Sequence, residues 1–216
     1  DTEIVTMKGN RRWMRITATI ECEGDLPVRI FGMKQDITEE KILADRTRYL
    51  AEFDTMTGLA NRASYQSRLS AMDDGKDSGT EPIGALLLVD LDGFKQINDT
   101  FGHAYGDACL REVARRLAEV SGEAELVARI GGDEFAVLLG ADADEDDVRR
   151  LAGRIVEALS RPIEELDGAH SLGASVGIAR YDGCSSEQLF NRADAALYAA
   201  KASGRNTYRL FAASAE

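Results

Sequence analysis

The sequence has few of the residues that hold small secreted or zinc-binding proteins together. Its three cysteines, Cys22, Cys109 and Cys184, are far apart and odd in number, and only 2 of its 216 residues are histidine. No CxxC pair or Cys/His cluster occurs. This pattern disfavours a disulfide framework and a structural zinc site. A reducing, cytoplasmic compartment is therefore the simplest expectation.

Long apolar segments and positive charge are also lacking. No apolar run approaches the roughly 20 residues of a membrane helix, so we expect no membrane contact from this chain. The first residues, "DTEIVTMKGN", do not resemble a signal peptide. Since the sequence begins at Asp1 rather than Met, we expect it to be a fragment of a longer protein. The formal net charge of −12 argues against nucleic acid as a partner.

Residues 1–35 have the alternating pattern of β-strands. In "RRWMRITATIEC" apolar and polar residues alternate, "VRIFGM" follows after the turn "EGDLP", and "EIVTM" comes before. The pattern predicts an antiparallel meander of three strands. Three strands cannot bury a core by themselves.

Residues 36–53, "DITEEKILADRTRYLAEF", are predicted to form a helix that Asp36 or Thr38 caps. Leu43 and Leu50 lie one heptad apart. Two interpretations remain open. The helix is either a connector that pairs with the same helix of a second copy, or a helix packed on its own domain.

From Asp54 onward, helical and strand patterns alternate in the order β-αα-β-β-α-β-β-α. "IGALLLVDLD" is a continuous apolar run typical of a strand buried on both faces. The pair Asp167–Gly168 predicts a hairpin, and Gly204 ends the last helix. This order predicts an α+β domain at 54–216 with a central sheet and helices packed on it.

Two pairs of carboxylates follow or precede predicted strands. Alternation along the first strand places Asp90 and Asp92 on one side of it, and Asp133 and Glu134 lie at a glycine turn between two further strands. Magnesium prefers such oxygen ligands and is commonly held by one or two carboxylates plus substrate phosphates. An ordinary turn is the alternative for Asp92. It explains Glu134 poorly, because Glu is not a favoured turn residue.

Glycines and cations near these acids suggest a phosphate site. Gly131 and Gly132 permit a positive φ and a close approach of ligand to backbone. Gly93 would expose backbone N–H groups to a phosphate, with Lys95 just beyond. Lys201 and Arg205 are four residues apart at a helix end. They could bind triphosphate oxygens or complement the helix dipole.

The segment "INDTFGHAYGD" offers a candidate base-recognition site. Asp107 could accept two hydrogen bonds from guanine, whereas adenine lacks that donor pair, and Asn98 lies on the other side of the turn. Helix capping is the alternative for both residues. His103 is a lone histidine, for which a structural role is the simpler interpretation.

Five segments, in this order, resemble the motifs of the GGDEF family of bacterial diguanylate cyclases. They are "FDTMTGLANR", "VDLDGFKQINDTFGHAYGDACL", "ARIGGDEFAVLL", "ASVGIA" and "RADAALYAAKASGRN", and they cover about residues 53–210. The resemblance implies a mostly antiparallel sheet flanked by helices, akin to the palm of nucleotide cyclases and polymerases. It implies the condensation of two GTP molecules to cyclic di-GMP and two pyrophosphates. Two Mg²⁺ or Mn²⁺ ions per site and a homodimer are implied as well.

The resemblance also assigns roles to individual positions. Asp90, the Leu91 carbonyl, Asp133 and Glu134 would bind the metal ions, with Asp133 and Glu134 as catalytic residues. Asn98 and Asp107 would recognise guanine, which argues against the alternative substrate ATP. The remaining motif positions are those implied to contact phosphate (Gly93, Phe94, Lys95, Lys201 and Arg205) and those without a separate role (Gly131, Gly132, Phe135 and His103).

One departure from the family pattern concerns an inhibitory product site, Arg-x-x-Asp, that many members carry. Gly122 and Glu125 stand at its two positions in "GEAE". We therefore expect no product inhibition through this site. A catalytically silent GGDEF domain that binds GTP or a protein partner is the alternative to an active enzyme.

Residues 1–35 resemble the C-terminal part of a PAS sensor domain, with its strand–turn–strand ending and the "DIT" exit into a helix. The resemblance implies a sensory input. The helix at 36–53 would then carry the signal to the domain at 54–216.

Overall fold

The computed structural model describes residues 1–73, 82–163 and 172–212 of the chain. The chain divides into two units, Asp1–Leu50 and Ala51–Glu216. Within the described ranges, no helix is both long enough and apolar enough to cross a bilayer.

The N-terminal unit contains the predicted three-stranded meander. Strands β1 (Thr2–Val5), β2 (Arg11–Glu23) and β3 (Leu26–Asp36) pair antiparallel in chain order, which confirms the prediction. Ile20 and Ile30 are register partners and are both exposed. The sheet therefore presents apolar side chains on its surface.

Helix α1 (Thr38–Glu52) begins where its sequence provides caps. The Asp36 carboxylate accepts hydrogen bonds from the backbone N–H and the hydroxyl of Thr38, at 2.9 and 2.5 Å. The hydroxyl bond is the largest cause of the lowered pKa of Asp36. The same hydroxyl accepts from the Trp13 N–H. Leu43 and Leu50 are exposed, so the helix carries an apolar stripe on its surface.

The C-terminal unit is built on a five-stranded mixed sheet. The strand order is β5-β6-β4-β7-β8, with β4 at the centre and antiparallel to both neighbours, while β8 runs parallel to β7. The predicted α+β class with a mostly antiparallel sheet is confirmed. The elements are α2 (Arg62–Asp73), β4 (Ile83–Asp92), α3 (Phe94–Phe101), α4 (His103–Val120), β5 (Leu126–Arg129), β6 (Glu134–Gly140), α5 (Glu145–Ser160), β7 (Gly173–Arg180), α6 (Ser186–Ala202) and β8 (Tyr208–Leu210).

Strand β4 carries no polar side chain before Asp90, and both of its faces are buried. From Ala85 onward its odd-numbered residues lie in a core with α4 and α5, whereas Ile83, Leu86 and Leu88 lie in a second core with α2 and α6. The first core includes Leu87, Val89, Leu117 and Ile155, and the second includes Leu86, Leu88, Leu69 and Leu197. Alternation then places Asp90 and Asp92 on the α6 side of the strand end.

Some details of the connections differ from expectation or lie beyond what is described. Gly102, with φ 85°, separates α3 from α4, as the helical pair in the sequence predicts. Strand β8, only three residues long, was not predicted. The Asp167–Gly168 hairpin prediction falls at residues 164–171, which are outside the described residues.

Candidate active site

The two carboxylate pairs meet at one edge of the sheet. The β4–β6 register pairs Asp90 with Glu134, and the Leu91 N–H donates to the Asp133 carbonyl at 3.2 Å. Phe135, the next residue along β6, is completely buried and anchors the strand. The sheet therefore brings Asp90 beside Glu134, which lies 44 residues further along the chain (134 minus 90).

The glycine turn before β6 is formed without a left-handed backbone. Neither Gly131 nor Gly132 adopts the positive φ that glycine permits. A Cβ at Gly131 would lie 2.5 Å from Oε2 of Glu134, whereas a Cβ at Gly132 would meet nothing within 4 Å. Gly131 thus leaves room for the Glu134 side chain, and Gly132 leaves open space beside the turn.

Asp90 lies between a cation and other acids. Its side chain is 12% exposed, and its Oδ2 is 2.7 Å from the Lys201 Nζ. Burial is the largest cause of its raised pKa, the hydrogen bond and charge of Lys201 oppose the rise, and the charges of Asp133 and Asp92 add to it. Lys201 therefore compensates a carboxylate in an otherwise acidic corner.

Asp92 has a different set of partners. Its Oδ1 accepts from the Ser175 hydroxyl at 2.8 Å, and its Oδ2 accepts from the Asn206 N–H at 2.9 Å. The Arg205 Nε lies 3.9 Å from Oδ1. Lys201 and Arg205 thus both lie beside acids at the end of β4.

Helix α3 starts immediately after β4, through Gly93. This residue has φ 79° and caps the helix without a side chain. Phe94 is buried, and Lys95 is exposed in the first turn. A helix N-terminus with its N–H groups toward solvent favours a phosphate. The predicted phosphate contacts therefore lie next to the carboxylates in the chain and in the fold.

The two residues predicted to recognise guanine lie on successive helices. Asn98 is on α3 and Asp107 on α4, and both are half-buried. A Cβ at Gly106 would overlap Oδ1 of Asn98, so Gly106 allows the two helices to approach at this point. His103 is exposed at the first position of α4.

Glu125, at the position of the family's inhibitory aspartate, has a partner of its own. It forms an ion pair with Arg68 of α2, and both side chains are largely buried. Gly122 is exposed in the turn after α4. Glu125 thus binds α2 to the edge of the sheet.

The donor set is suited to a hard divalent cation. Within the described ranges, no three Asp, Glu, His or Cys side chains converge to hold a metal ion. Asp90, the Leu91 carbonyl, Asp133 and Glu134 nevertheless provide only oxygen donors at one sheet edge. Magnesium often takes one or two carboxylates and completes its shell with substrate phosphates and water. These residues fit a metal ion that binds together with its nucleotide.

The structure contains a hydrogen-bond network around Arg129 that was not predicted from the sequence. Arg129 donates to the Gly132 carbonyl from Nε and Nη2, at 3.2 and 2.8 Å, and from Nη1 to Asp54 at 3.2 Å. Asp54 also accepts from the N–H and hydroxyl of Thr57. The network connects the first turn of this unit to the glycine turn. A lone arginine within the strand "ELVARI" was the available signal.

Comparison with known proteins identifies the family. The model of "Diguanylate cyclase, GGDEF domain" matches residues 51–207, so the chain belongs to the GGDEF family. An uncharacterized signaling protein of Caulobacter vibrioides is 44% identical over 82% of this chain and 22% of its own length. The diguanylate cyclase TpbB of Pseudomonas aeruginosa is 40% identical over 74% of this chain and 37% of its own. The chain thus spans well under half of each relative.

Solved structures agree. The coiled coil and GGDEF domain of DgcB from Caulobacter crescentus, in complex with c-di-GMP, has a TM-score of 0.70 and 32% identity. The match covers 81% of this chain and 93% of that one. The family model begins at residue 51, so the resemblance of residues 1–35 to a PAS domain stays a prediction.

Proposed function

We propose that this chain is a diguanylate cyclase that condenses two GTP molecules to cyclic di-GMP and two pyrophosphates. One observation carries the proposal: Asp90 lies in register with Glu134 at the sheet edge, 2.7 Å from the Lys201 ammonium. Acids for metal ions and a cation for phosphate are therefore neighbours. Membership of the GGDEF family supports the same activity.

Each group has a role in this proposal. Bound magnesium or manganese, two ions per site, would lower the pKa of the attacking 3′-hydroxyl and stabilise the pyrophosphate that leaves. Asp90, the Leu91 carbonyl, Asp133 and Glu134 would hold the ions. Lys201 would move from Asp90 to the nucleotide phosphates, since a metal ion can take over the compensation of that carboxylate.

The other end of GTP would be bound by the α3–α4 segment. Asp107 would accept hydrogen bonds from the guanine edge, and the Asn98 amide can both accept and donate there. The backbone at Gly93 and Phe94, with Lys95, would contact phosphate at the helix N-terminus. Ring closure needs two attacks, so two copies of the domain would face each other as a homodimer.

We further propose that residues 1–35 are the C-terminal part of a PAS sensor and that α1 transmits its signal. With GTP as its substrate, the domain would act in the cytoplasm. Because Gly122 and Glu125 replace the inhibitory pair, cyclic di-GMP should not inhibit through that site. Tight binding of cyclic di-GMP at this turn, measured by calorimetry, would contradict that statement.

The test of the activity is incubation of the purified, dimeric chain with GTP and magnesium, followed by chromatography for cyclic di-GMP. Glu134→Ala should abolish turnover with an unchanged circular dichroism spectrum. Glu123→Ala, at an exposed glutamate outside the site, is the matched control and should retain it. Without product from the unmodified dimer, the silent GTP-binding alternative would stand.

Guanine recognition has its own test. Asp107→Ala should weaken GTP binding by about 1–3 kcal/mol, the usual value of a good contact to a base edge. Asp99→Ala, an exposed acid on α3, should change it little. Equal losses for GTP and ATP in the Asp107 variant would show that this residue does not select guanine.

A further inference from the structure

The turn that follows α6 has an unusual backbone. Gly204, Arg205 and Asn206 are three consecutive residues with positive φ, at 111°, 62° and 45°. In the described part of the chain, Arg205 and Asn206 are the only residues other than glycine with positive φ. Asparagine tolerates this conformation, but arginine adopts it rarely because its Cβ crowds the backbone. Something must therefore hold Arg205 in place.

Two contacts hold this turn: the Arg205 N–H donates to the Ala200 carbonyl of α6 at 3.3 Å, and Asp92 accepts from the residue after the arginine. The Asp92 Oδ2 accepts from the N–H of Asn206, the residue that follows Arg205, at 2.9 Å. The Asp92 Oδ1 accepts from the Ser175 hydroxyl at 2.8 Å. Ser175 is completely buried on β7, and the Asp92 side chain is only 10% exposed. One carboxylate thus connects β4, β7 and the turn.

The packing around this carboxylate leaves it little freedom. A Cβ at Gly173 would lie 3.1 Å from Asp92 Oδ2 and 3.4 Å from the Asn206 side chain. Asn206 in turn accepts from the Ala174 N–H at 3.4 Å through its own Oδ1. The start of β7 therefore fits closely against both Asp92 and the turn.

Asp92 differs in this respect from Asp90, although both lie on the same side of β4. The partner of Asp90 is the end of a flexible lysine side chain, which can move away. The hydrogen-bond partners of Asp92 are a buried hydroxyl and a backbone N–H, while the Arg205 guanidinium lies further off, at 3.9 Å. To bind a metal ion, Asp92 would have to give up a bond to the fold itself.

We propose that Asp92 is a positioning residue that fixes the left-handed turn at Arg205 and so directs that arginine to the terminal phosphates of GTP. The arginine side chain is 64% exposed, so its guanidinium is accessible to a ligand while its backbone is held. This inference rests on the proposed function, in which Arg205 contacts phosphate. It assigns Asp92 no metal ion.

The test is Asp92→Asn, alone and combined with Asn206→Gly. In Asp92→Asn an NH2 group replaces one of the two carboxylate oxygens, so in the same geometry either the Ser175 hydroxyl or the Asn206 N–H loses its acceptor. We expect the KM for GTP to rise roughly tenfold, while kcat stays within about twofold of that of the unmodified protein. The magnesium concentration that gives half of the maximal rate, the magnesium midpoint, should not change. Glycine adopts positive φ without steric cost. At position 206 it removes the remaining cost of the left-handed backbone there, at the loss of the bond from the Ala174 N–H. Asn206→Gly should therefore restore part of the KM in the double variant, whereas alone it should not lower the KM.

Other results would overturn the proposal. A large fall in kcat with a raised magnesium midpoint, and no rescue by glycine, would make Asp92 a metal ligand. Unchanged kinetics of Asp92→Asn would show that the turn needs no support.

Thermal unfolding without nucleotide tests the turn independently of activity. Asn206→Gly should raise Tm more in the Asp92→Asn background than in the unmodified protein. Equal shifts would refute the role of Asp92 even in a chain that makes no cyclic di-GMP. An inactive protein that still shows the coupling would contradict only the proposed function.

Discussion

A methyl group added at Gly177 should separate helix α6 from the sheet. Gly177 lies on β7, where the backbone of α6 approaches closely enough that a Cβ would overlap the Ala193 carbonyl oxygen and the Leu197 N–H. The same Cβ would lie 2.6 Å from the Leu197 Cα, against at least 3.4 Å for ordinary contact. The helix must therefore move by at least about 0.8 Å (3.4 minus 2.6) in Gly177→Ala.

The magnitude follows from the atoms involved. Overpacking usually costs about 1–3 kcal/mol, and it costs most when the obstructing atoms are backbone, which cannot turn aside. We expect the free energy of unfolding to fall by about 3 kcal/mol. Since α6 also carries Lys201, we expect its displacement to weaken GTP binding as well.

Urea denaturation followed by circular dichroism measures the effect, and Gly153→Ala is the matched control. Gly153 lies within α5, and a Cβ there would meet only a Tyr208 ring carbon at 3.9 Å. Alanine in a helix is favoured over glycine by about 0.5–1 kcal/mol, so the control should be stabilised. If Gly177→Ala were as stable as Gly153→Ala, the close packing of α6 on β7 would be disproved.

Two further predictions concern ion pairs. The pKa of Glu112 is lowered to about 2, chiefly by the hydrogen bond from Arg115. The ionised Glu112 therefore stabilises the fold above about pH 4.5, and this stabilisation is lost as the pH falls toward 2. Glu112→Gln should lower the free energy of unfolding by about 1 kcal/mol at pH 7, a small value because solvent screens the exposed Arg115. It should also flatten the acid side of a curve of stability against pH, and an unchanged curve would contradict this. Arg129→Ala and Asp54→Asn should show a coupling of about 1 kcal/mol in a double-mutant cycle of denaturation, and Arg129→Ala should lower turnover because the glycine turn loses two donors. Additive effects would mean that the two residues act separately.

The central part of the fold could be predicted because its sequence patterns allow few alternatives. A continuous apolar run such as "IGALLLV" fits a strand covered on both sides, and β4 is that strand. The meander of the first 36 residues follows from strict alternation. Polar residues at the strand end and at a hairpin tip come together whenever the two strands are neighbours, as β4 and β6 are.

Other features depend on contacts that no local pattern encodes. Strand β8 has three residues and forms only because the turn after α6 places it beside β7. Arg129 connects Asp54 to the glycine turn across 75 residues of chain. The pair Gly131-Gly132 permits a left-handed turn, yet the φ of Gly131 is not positive. The absence of a Cβ at Gly131 instead makes room for the Glu134 side chain.

The two aspartates at the end of β4 show where such prediction stops. Asp90 and Asp92 have the same chemistry, lie two residues apart and are on the same side of one strand, so the residue pattern alone makes them equivalent candidates for a metal ion. They differ in the partners that α6, β7 and the turn after α6 bring to them. Asp90 receives the mobile ammonium of Lys201, which a metal ion can replace, whereas Asp92 receives the backbone N–H of Asn206. A carboxylate bonded to a flexible side chain can exchange its partner for a ligand, but one bonded to the backbone of a left-handed turn supports the fold.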